Sequence, residues 1–486
     1  MPHPTPTSNP LAPEWLAVPE DANALAPHVW SRTTTRDETG QIRIGGLSAT
    51  ELIGRFGSPL TVIDEADARG RMRESVDAFS DAFRAIGSEA TVYYAGKAFL
   101  ATAVARWADE AGMSLDVASA GELAVAFAAD FPAERIGMHG NNKSDDEIDY
   151  AVRSGVGTIV LDSMEEIERV AAAASRHGIR QRVRIRVNSG VHASTHSYLA
   201  TAHEDQKFGF PIAKSVAVAA AVAQRESLEL IGLHSHIGSQ IFDESGFEVA
   251  AERLLQTQKD IERETGAALP ELNLGGGFGI AYVEHETPID LSEMASRLAG
   301  VIERTATRLG MRPPKMAFEP GRAIIGPAGT TLYTVGTVKP VEVEVEGSDQ
   351  TATRLYVSVD GGMSDNARPA LYEANYSARI ASRASDEAPA LIRVAGKHCE
   401  SGDLVVLADY VPGDVRVGDA LAVPATGAYC HSLSSTYNYV PRPAIVGVRD
   451  GRASVIIRRE TIDDLLSRDA GIGADQQTTG RKDARA

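Results

Sequence analysis

The sequence predicts an α/β protein: a (β/α)8 TIM barrel with a parallel sheet, followed by a C-terminal all-β domain. Eight short β-type runs recur between residues 90 and 318, and alanine-rich or acidic helical stretches separate most of them. Past Pro327 the texture changes to short β-type runs without long helices between them. The chain has 486 residues, too many for one ordinary domain and enough for a barrel plus a second module. A doubly wound open sheet is the competitor, and it would normally show one phosphate loop opening a first βα unit.

Taken in order, residues 1–30 form a Pro-rich N-terminal arm, with Pro2, Pro4, Pro6, Pro10, Pro13, Pro19 and Pro27, that reads as extended or disordered. It lacks the basic start and apolar centre of a signal peptide. Residues 31–64 carry the β-type runs Ile42–Ile44 and Leu60–Ile63 and are expected to contribute to the β domain. The barrel is predicted over 65–327, opening with a helical stretch at Glu65–Ile86. Its strands are predicted at Ala90–Tyr94, Ser114–Val117, Arg135–Met138, Thr158–Leu161, Arg182–Val187, Leu230–His234, Glu271–Leu274 and Lys315–Phe318. Ala101–Ala111, Ala120–Ala129, Asp145–Ser154 and Met164–His177 read as helices between them. The β domain is predicted over 328–468, from runs at Thr334–Val345, Arg354–Val359, Leu391–Val394, Asp403–Leu407, Ala420–Val423 and Ser454–Arg458. Residues 469–486 form a polar tail.

Composition narrows the function classes. With 43% hydrophobic and 23% charged residues the chain is expected to be globular. A formal net charge of −18 argues against nucleic acid or an anionic membrane as partner, so any anionic ligand must be held by local arginines and backbone amides. No apolar run is long enough to span a bilayer. Two cysteines, Cys399 and Cys430, cannot build a disulfide framework, which fits a reducing cytoplasm.

The chemistry-bearing residues follow the predicted strands. Lys97, in Tyr94-Ala95-Gly96-Lys97-Ala98, ends the first strand, where α/β barrels build their sites; a lysine there can be a Schiff-base amine or a plain solvated cation. Asp116 to Glu122 follows the second, and Ser119 with Glu122 reads as a capping box. His139-Gly140-Asn141-Asn142-Lys143-Ser144 follows the third, and a turn would explain it equally well. The sixth ends in His234-Ser235-His236-Ile237-Gly238-Ser239-Gln240. Two histidines at that spacing point the same way on a strand, but other zinc ligands are not grouped nearby, so no metal is predicted. His236 packed flat on an aromatic cofactor is preferred over a core histidine. Gly275-Gly276-Gly277-Phe278-Gly279 ends the seventh strand, where successive amides can converge on a phosphate. Glu319-Pro320-Gly321-Arg322 ends the eighth; a surface ion pair is its plainer explanation. In the β domain the loop Gly361–Tyr372 offers Arg368 and Tyr372, His398-Cys399-Glu400 sets a thiol beside a carboxylate, and Tyr429 ends another strand. Cys430 reads as filler. A lysine, a glycine cradle, a carboxylate and an arginine together suit pyridoxal 5′-phosphate (PLP), a cofactor that joins a lysine amine.

In this order, Tyr94–Ala98, Asp116 with Gly121-Glu122-Leu123, His139–Lys143, His234–Gln240, Gly275–Gly277, Glu319–Arg322, Met363-Ser364-Asp365-Asn366 and Cys399–Asp403 strongly resemble the diaminopimelate decarboxylases, which have the alanine racemase-like PLP fold (fold type III). The resemblance runs from about Ile42 to Leu466. It implies that Lys97 holds PLP as the internal aldimine and that His236 stacks on the ring. It further implies that Ser239, Gly275, Gly276, Gly277, Glu319, Pro320, Gly321, Arg322 and Tyr429 bind the cofactor, with Glu319 at the pyridine nitrogen. Arg322, Arg368, Tyr372, Glu400 and Tyr429 would bind substrate, and Cys399 would return a proton to the carbon that loses CO2. The implied assembly is a homodimer with shared sites, Cys399 and Glu400 crossing into the partner's site. Phe99 and His398 depart from the family pattern, in which a small polar and a smaller or apolar residue are usual.

The implied reaction is decarboxylation of meso-2,6-diaminopimelate to L-lysine and CO2 through an external aldimine, the last step of lysine biosynthesis. The competitors are decarboxylation of ornithine, arginine or carboxynorspermidine on the same fold, and a non-catalytic regulatory homologue, which should have lost Lys97 or Cys399. Both are present.

Overall fold

The computed structural model describes residues 9–191, 207–288 and 290–472. The chain forms two units. One comprises Ala66–Ala281 and Glu286–Pro327; the other runs up to Glu65, takes in Tyr282–His285 and resumes at Ala328.

The first unit is a closed barrel of eight parallel strands: Ala90–Ala95, Ser114–Val117, Ile136–Met138, Thr158–Leu161, Gln181–Asn188, Leu228–His234, Glu271–Asn273 and Lys315–Phe318. Each pairs with the next, and the eighth closes on the first through Met316 opposite Ala90. The strands are short because their apolar runs are short, and helices such as Thr102–Glu110 and Met164–His177 begin within a few residues of them. Serine caps set several helix starts: Ser144 and Glu147 bond reciprocally, and Ser163 accepts from Glu166 N–H. Alternate strands supply a polar layer to the unit's interior. Arg184 of the fifth donates to Glu271 of the seventh (2.6 Å) and to Tyr93 of the first (3.2 Å). Gly137 of the third leaves the room, since a Cβ there would lie 2.9 Å from Asp116 Oδ1. Outside the sheet, Phe79 of the helix Glu65–Ala85 stacks on Phe318 at 4.1 Å.

In the second unit the long strand Gly329–Glu344 is the organiser. It pairs antiparallel with Leu60–Asp64, Thr351–Val359 and Ala420–Pro424. Pro389–Ala395 and Leu404–Pro412 extend the sheet beyond Thr351–Val359, and Ala444–Arg449 with Arg452–Ile457 extend it beyond Leu60–Asp64.

Three expectations change here. The strand Ala444–Arg449 was not anticipated: it is buried along nearly its whole length, so it lacks the alternation that marks a half-buried strand. Gly329–Glu344 starts before Thr334 for the same reason, its first five residues being buried. The N-terminal arm is not free over its described part. Its prolines suit neither helix nor ladder, yet Leu11, Ala12, Leu16 and Val18 pack against Leu391, Ala408 and Tyr410, and Val29 and Trp30 are buried. Asn9 Nδ2 also donates to Thr353 O at 2.8 Å. The start of the arm, before residue 9, and the tail from residue 473 lie outside the described residues. Among the described residues no helix is long and apolar enough to cross a membrane.

Candidate active site

The strand Ala90–Ala95 ends in one 3-10 turn, Gly96–Ala98, which carries Lys97 into a cavity of about 500 Å³. Asp116, Glu122, His139, Arg186, His236 and Glu319, all just past or at the ends of other barrel strands, line the same cavity. This is the C-terminal face of the sheet, where the polar ends of several strands converge.

Glu319 is held by hydrogen bonds from its neighbours. Its Oε1 accepts from His234 Nε2 at 3.1 Å and Asn273 Nδ2 at 2.9 Å, while His139 Nε2 lies 3.7 Å away. A carboxylate only accepts, so His234 carries its proton on Nε2. Asn273 is oriented in turn, its Oδ1 accepting from Gly275 N–H at 2.7 Å. Burial pushes His139 and His234 down to about 4, so both imidazoles are neutral near pH 7. Burial alone would raise the Glu319 carboxyl, but His234 and His139 around it hold it well below the usual carboxylate range. Asp116, whose Oδ1 lies 3.0 Å from His139 Nε2, goes the other way: burial, then the charge of Glu319, keeps its carboxyl well above that range. Of the two acids, Glu319 bears the negative charge.

The histidine expectation needs correcting. The sixth strand stops at His234, so the two rings do not continue one strand face: His234 meets Glu319, whereas His236 Nδ1 accepts from Gly276 N–H at 3.2 Å. Burial and then Lys97 hold His236 well below the ordinary imidazole range. His139, His234 and Glu319 do present ligand atoms within 4.8 Å of one another, in an array that the Glu319–His234 hydrogen bond already ties together.

The glycine run is also not a row of three converging amides. Gly275 N–H is taken by Asn273 and Gly276 N–H by His236. Gly275 and Gly277 adopt φ of +70° and +108°, and a Cβ on Gly276 would lie 2.1 Å from Glu319 O. Close packing is what these glycines permit, Gly276 against the end of the eighth strand and Gly275 and Gly277 against the segment 235–241 that follows the sixth. Ser239 and Arg322 meet, Arg322 Nη2 donating to Ser239 Oγ at 2.5 Å. Pro320 caps the short helix Gly321–Ile325, and a Cβ on Gly321 would lie 2.8 Å from the Ala95 Cβ, so glycine brings the eighth strand's end against the first's. The predicted capping box at Ser119 is incomplete: Ser119 accepts from Glu122 N–H, but the Glu122 carboxylate bonds Ala118 N–H at 2.6 Å.

The remaining predicted residues lie on the second unit, Arg368 and Tyr372 at the two ends of one short helix, Cys399 and Glu400 side by side in one turn, and Tyr429 on a third segment. Arg368 is buried, with Nη1 donating to Tyr376 OH at 2.5 Å and its guanidinium 4.4 Å over the Tyr282 ring. Tyr372 is 65% exposed. Cys399 is exposed, and its N–H donates to Asn438 Oδ1 at 3.0 Å. Glu400 is exposed and accepts from Gly402 N–H at 3.3 Å. Tyr429 has a left-handed φ of +67°. Cys430 is more than filler: its Sγ donates to Asn366 Oδ1 (3.4 Å) and lies 3.6 Å from Tyr376 OH.

Residues 69–326 match the family model of the pyridoxal-dependent decarboxylases' pyridoxal binding domain. The diaminopimelate decarboxylase of Mycobacterium tuberculosis (strain ATCC 25618 / H37Rv) is 53% identical over 449 residues, spanning 91% of this chain and 98% of that protein. The chain belongs to the diaminopimelate decarboxylase family. The Bacillus subtilis (strain 168) diaminopimelate decarboxylase is 43% identical over 439 residues, covering 90% of this chain and 97% of that protein. A crystal structure of the M. jannaschii diaminopimelate decarboxylase in co-complex with L-lysine superposes with a TM-score of 0.82 at 29% identity, covering 90% of this chain and 98% of that one.

PLP is the cofactor of this decarboxylase family, and the barrel cavity fits it. The cavity offers a primary amine for an aldehyde, a charged carboxylate for a pyridine nitrogen and the guanidinium of Arg186. Two buried atoms of residues that line it, Asp116 Oδ2 and His234 Nδ1, have no hydrogen-bond partner among the described residues.

One residue of the decarboxylase motifs has a structural task the sequence did not reveal. Lys143 is buried, and its Nζ donates to Gly140 O (2.7 Å), Val160 O (2.8 Å) and Glu166 Oε1 (2.7 Å). Glu166 Oε2 accepts from Asp162 N–H at 2.7 Å. The loop carrying His139 is thereby tied to the fourth strand. Lys143→Met leaves a buried carboxylate without its cation and is expected to cost about 3–5 kcal/mol of stability. Urea denaturation measures it, and Lys143→Met/Glu166→Gln should recover part of the loss.

Proposed function

We infer that the protein removes CO2 from meso-2,6-diaminopimelate at its D-centre and releases L-lysine, the last step of lysine biosynthesis. The carrying observation is that Lys97, His236 and a charged Glu319 open on one barrel cavity in a chain of the diaminopimelate decarboxylase family. When bound, PLP supplies an electron sink for the pair left behind as the carbon–carboxylate bond breaks.

The residue roles are these. Lys97 would anchor the cofactor through its amine and His236 would face its ring. Glu319 would hold a proton on the ring nitrogen. Ser239, Gly277, Pro320, Gly321, Arg322 and Tyr429 bind the cofactor, with Gly275 and Gly276 framing the place because their amides already serve Asn273 and His236. Arg322, Arg368, Tyr372, Glu400 and Tyr429 hold the substrate. The Cys399 thiol gives its proton to the carbon that has lost CO2, and solvent restores it.

The working form is a cytoplasmic homodimer in which Cys399 and Glu400 of one subunit complete the site around Lys97 of the partner subunit. Exposed Leu371, Tyr372, Leu433, Tyr437 and Tyr439 on the second unit support a protein partner there. The chain's two cysteines, Cys399 exposed and Cys430 buried, are not joined to each other, which supports a reducing compartment.

Incubating the PLP-saturated protein with meso-diaminopimelate should yield lysine and CO2 in equal amounts. Parallel incubations with ornithine, arginine and carboxynorspermidine should yield little. Turnover of one of these in place of diaminopimelate would overturn the substrate assignment.

A further inference from the structure

Cys399 opens the turn between the strands Pro389–Ala395 and Leu404–Pro412, and an exposed turn is a poor place from which to deliver a proton to one carbon. The second unit fixes this turn from two sides. On one side, His398 N–H donates to Asp403 Oδ2 at 2.7 Å, and Met363 N–H donates to the other oxygen of Asp403 at 2.6 Å. His398 Nε2 accepts from Ser364 N–H at 3.4 Å and lies 2.9 Å from Ser364 Oγ. The departure at position 398 is thus a buried tie between the cysteine turn and the Met363–Asn366 loop.

On the other side stands Asn438. Its side-chain oxygen accepts from Cys399 N–H at 3.0 Å, and because a backbone N–H can only donate, the amide orientation is fixed. Asn438 holds φ 51° and ψ 23°, and Tyr439 follows at φ 56°. Asparagine tolerates the left-handed region; a tyrosine there is uncommon, and its backbone is held against its preference. Ser435 N–H donates to Ser364 O at 2.9 Å, so this third loop is anchored to the same serine as His398. Backbone held off its preferred conformation has a cost that the surrounding structure must offset, and such residues cluster at functional sites.

We propose that Asn438 is a positioning residue for the decarboxylation, fixing the Cys399 backbone through its side-chain oxygen so that the thiol is presented in one place for proton return. This rests on the reading that Cys399 is the proton donor. Asn438 touches no reacting atom; it acts through the cysteine turn.

Two substitutions separate the bond from the backbone. Asn438→Gly keeps the left-handed conformation at no steric cost and removes the acceptor; Asn438→Asp keeps both. In the PLP-saturated enzyme Asn438→Gly should lower kcat by about tenfold or more, the scale of a misplaced reacting group. It should also enlarge the solvent deuterium isotope effect on kcat, because proton return becomes slower, while Tm stays near wild type. Asn438→Asp should restore most of kcat and the original isotope effect. A wild-type kcat in Asn438→Gly would overturn the proposal. So would a loss of kcat with a lowered Tm and an unchanged isotope effect, which makes the role merely structural. Cys399→Ala, assayed alongside, tests the donor reading separately: full activity there overturns that reading, whereas a crippled Cys399→Ala beside an unimpaired Asn438→Gly overturns only the positioning.

Discussion

Glu319→Gln is expected to lower kcat by on the order of a hundredfold, with KM and stability little changed. The substitution is isosteric, and an amide oxygen can keep accepting from His234 Nε2 and Asn273 Nδ2 as Oε1 does now. What disappears is the negative charge. That charge is costly to hold in a buried place, and the structure maintains it with two aimed N–H donors, while burial and the charge of Glu319 push the neighbouring Asp116 carboxyl well above its ordinary range. Such an arrangement serves a charge that is needed for the chemistry more than for folding. Steady-state kinetics with meso-diaminopimelate and a thermal melt on the same preparation check it. A wild-type kcat would mean that the carboxylate at the eighth strand has no part in the electron sink.

What the sequence made legible follows from how local each signal is. The strands Ser114–Val117, Thr158–Leu161 and Lys315–Phe318 fall where their apolar runs predict, because each run is bounded by helix-starting serines, glycines or prolines within a few residues. Lys97 and Glu319 were legible because a charged residue just past an apolar run is conspicuous. Asn273 was not. Its link to Glu319 spans 46 positions and exists only because the seventh and eighth strands are neighbours, with Asn273 opposite Ala317. An asparagine set between Leu272 and Leu274 at the end of a short buried strand was the available hint. Gly275 and Gly276 carried the opposite hazard: glycine permits convergence on a phosphate, but backbone direction decides whether the amides are free, and here His236 and Asn273 take two of them. The described part of the N-terminal arm hid its packing because Leu11, Leu16 and Val18 are scattered among prolines with neither a helical nor a strand period.

Mixing Lys97→Ala chains with Cys399→Ala chains is expected to restore activity to about a quarter of wild type, from parents that are each nearly inactive, by the symmetry of an isologous dimer. Lys97 belongs to the barrel unit and Cys399 to the β unit, and the proposed dimer joins the two groups from different subunits. In a mixed dimer one site inherits both lesions, and the other combines an intact Lys97 with an intact Cys399. Random exchange of equal amounts makes about half the dimers mixed, each with one good site of two. If both groups served the same subunit, every site would carry one lesion and mixing would restore nothing. The measurement is diaminopimelate turnover against mixing ratio, with exchange verified independently by mass-labelled subunits. Recovery should peak at equal amounts and vanish when exchange is blocked by cross-linking the parents beforehand. No recovery with exchange demonstrated would refute the shared site, and Lys97 and Cys399 would have to meet within one chain.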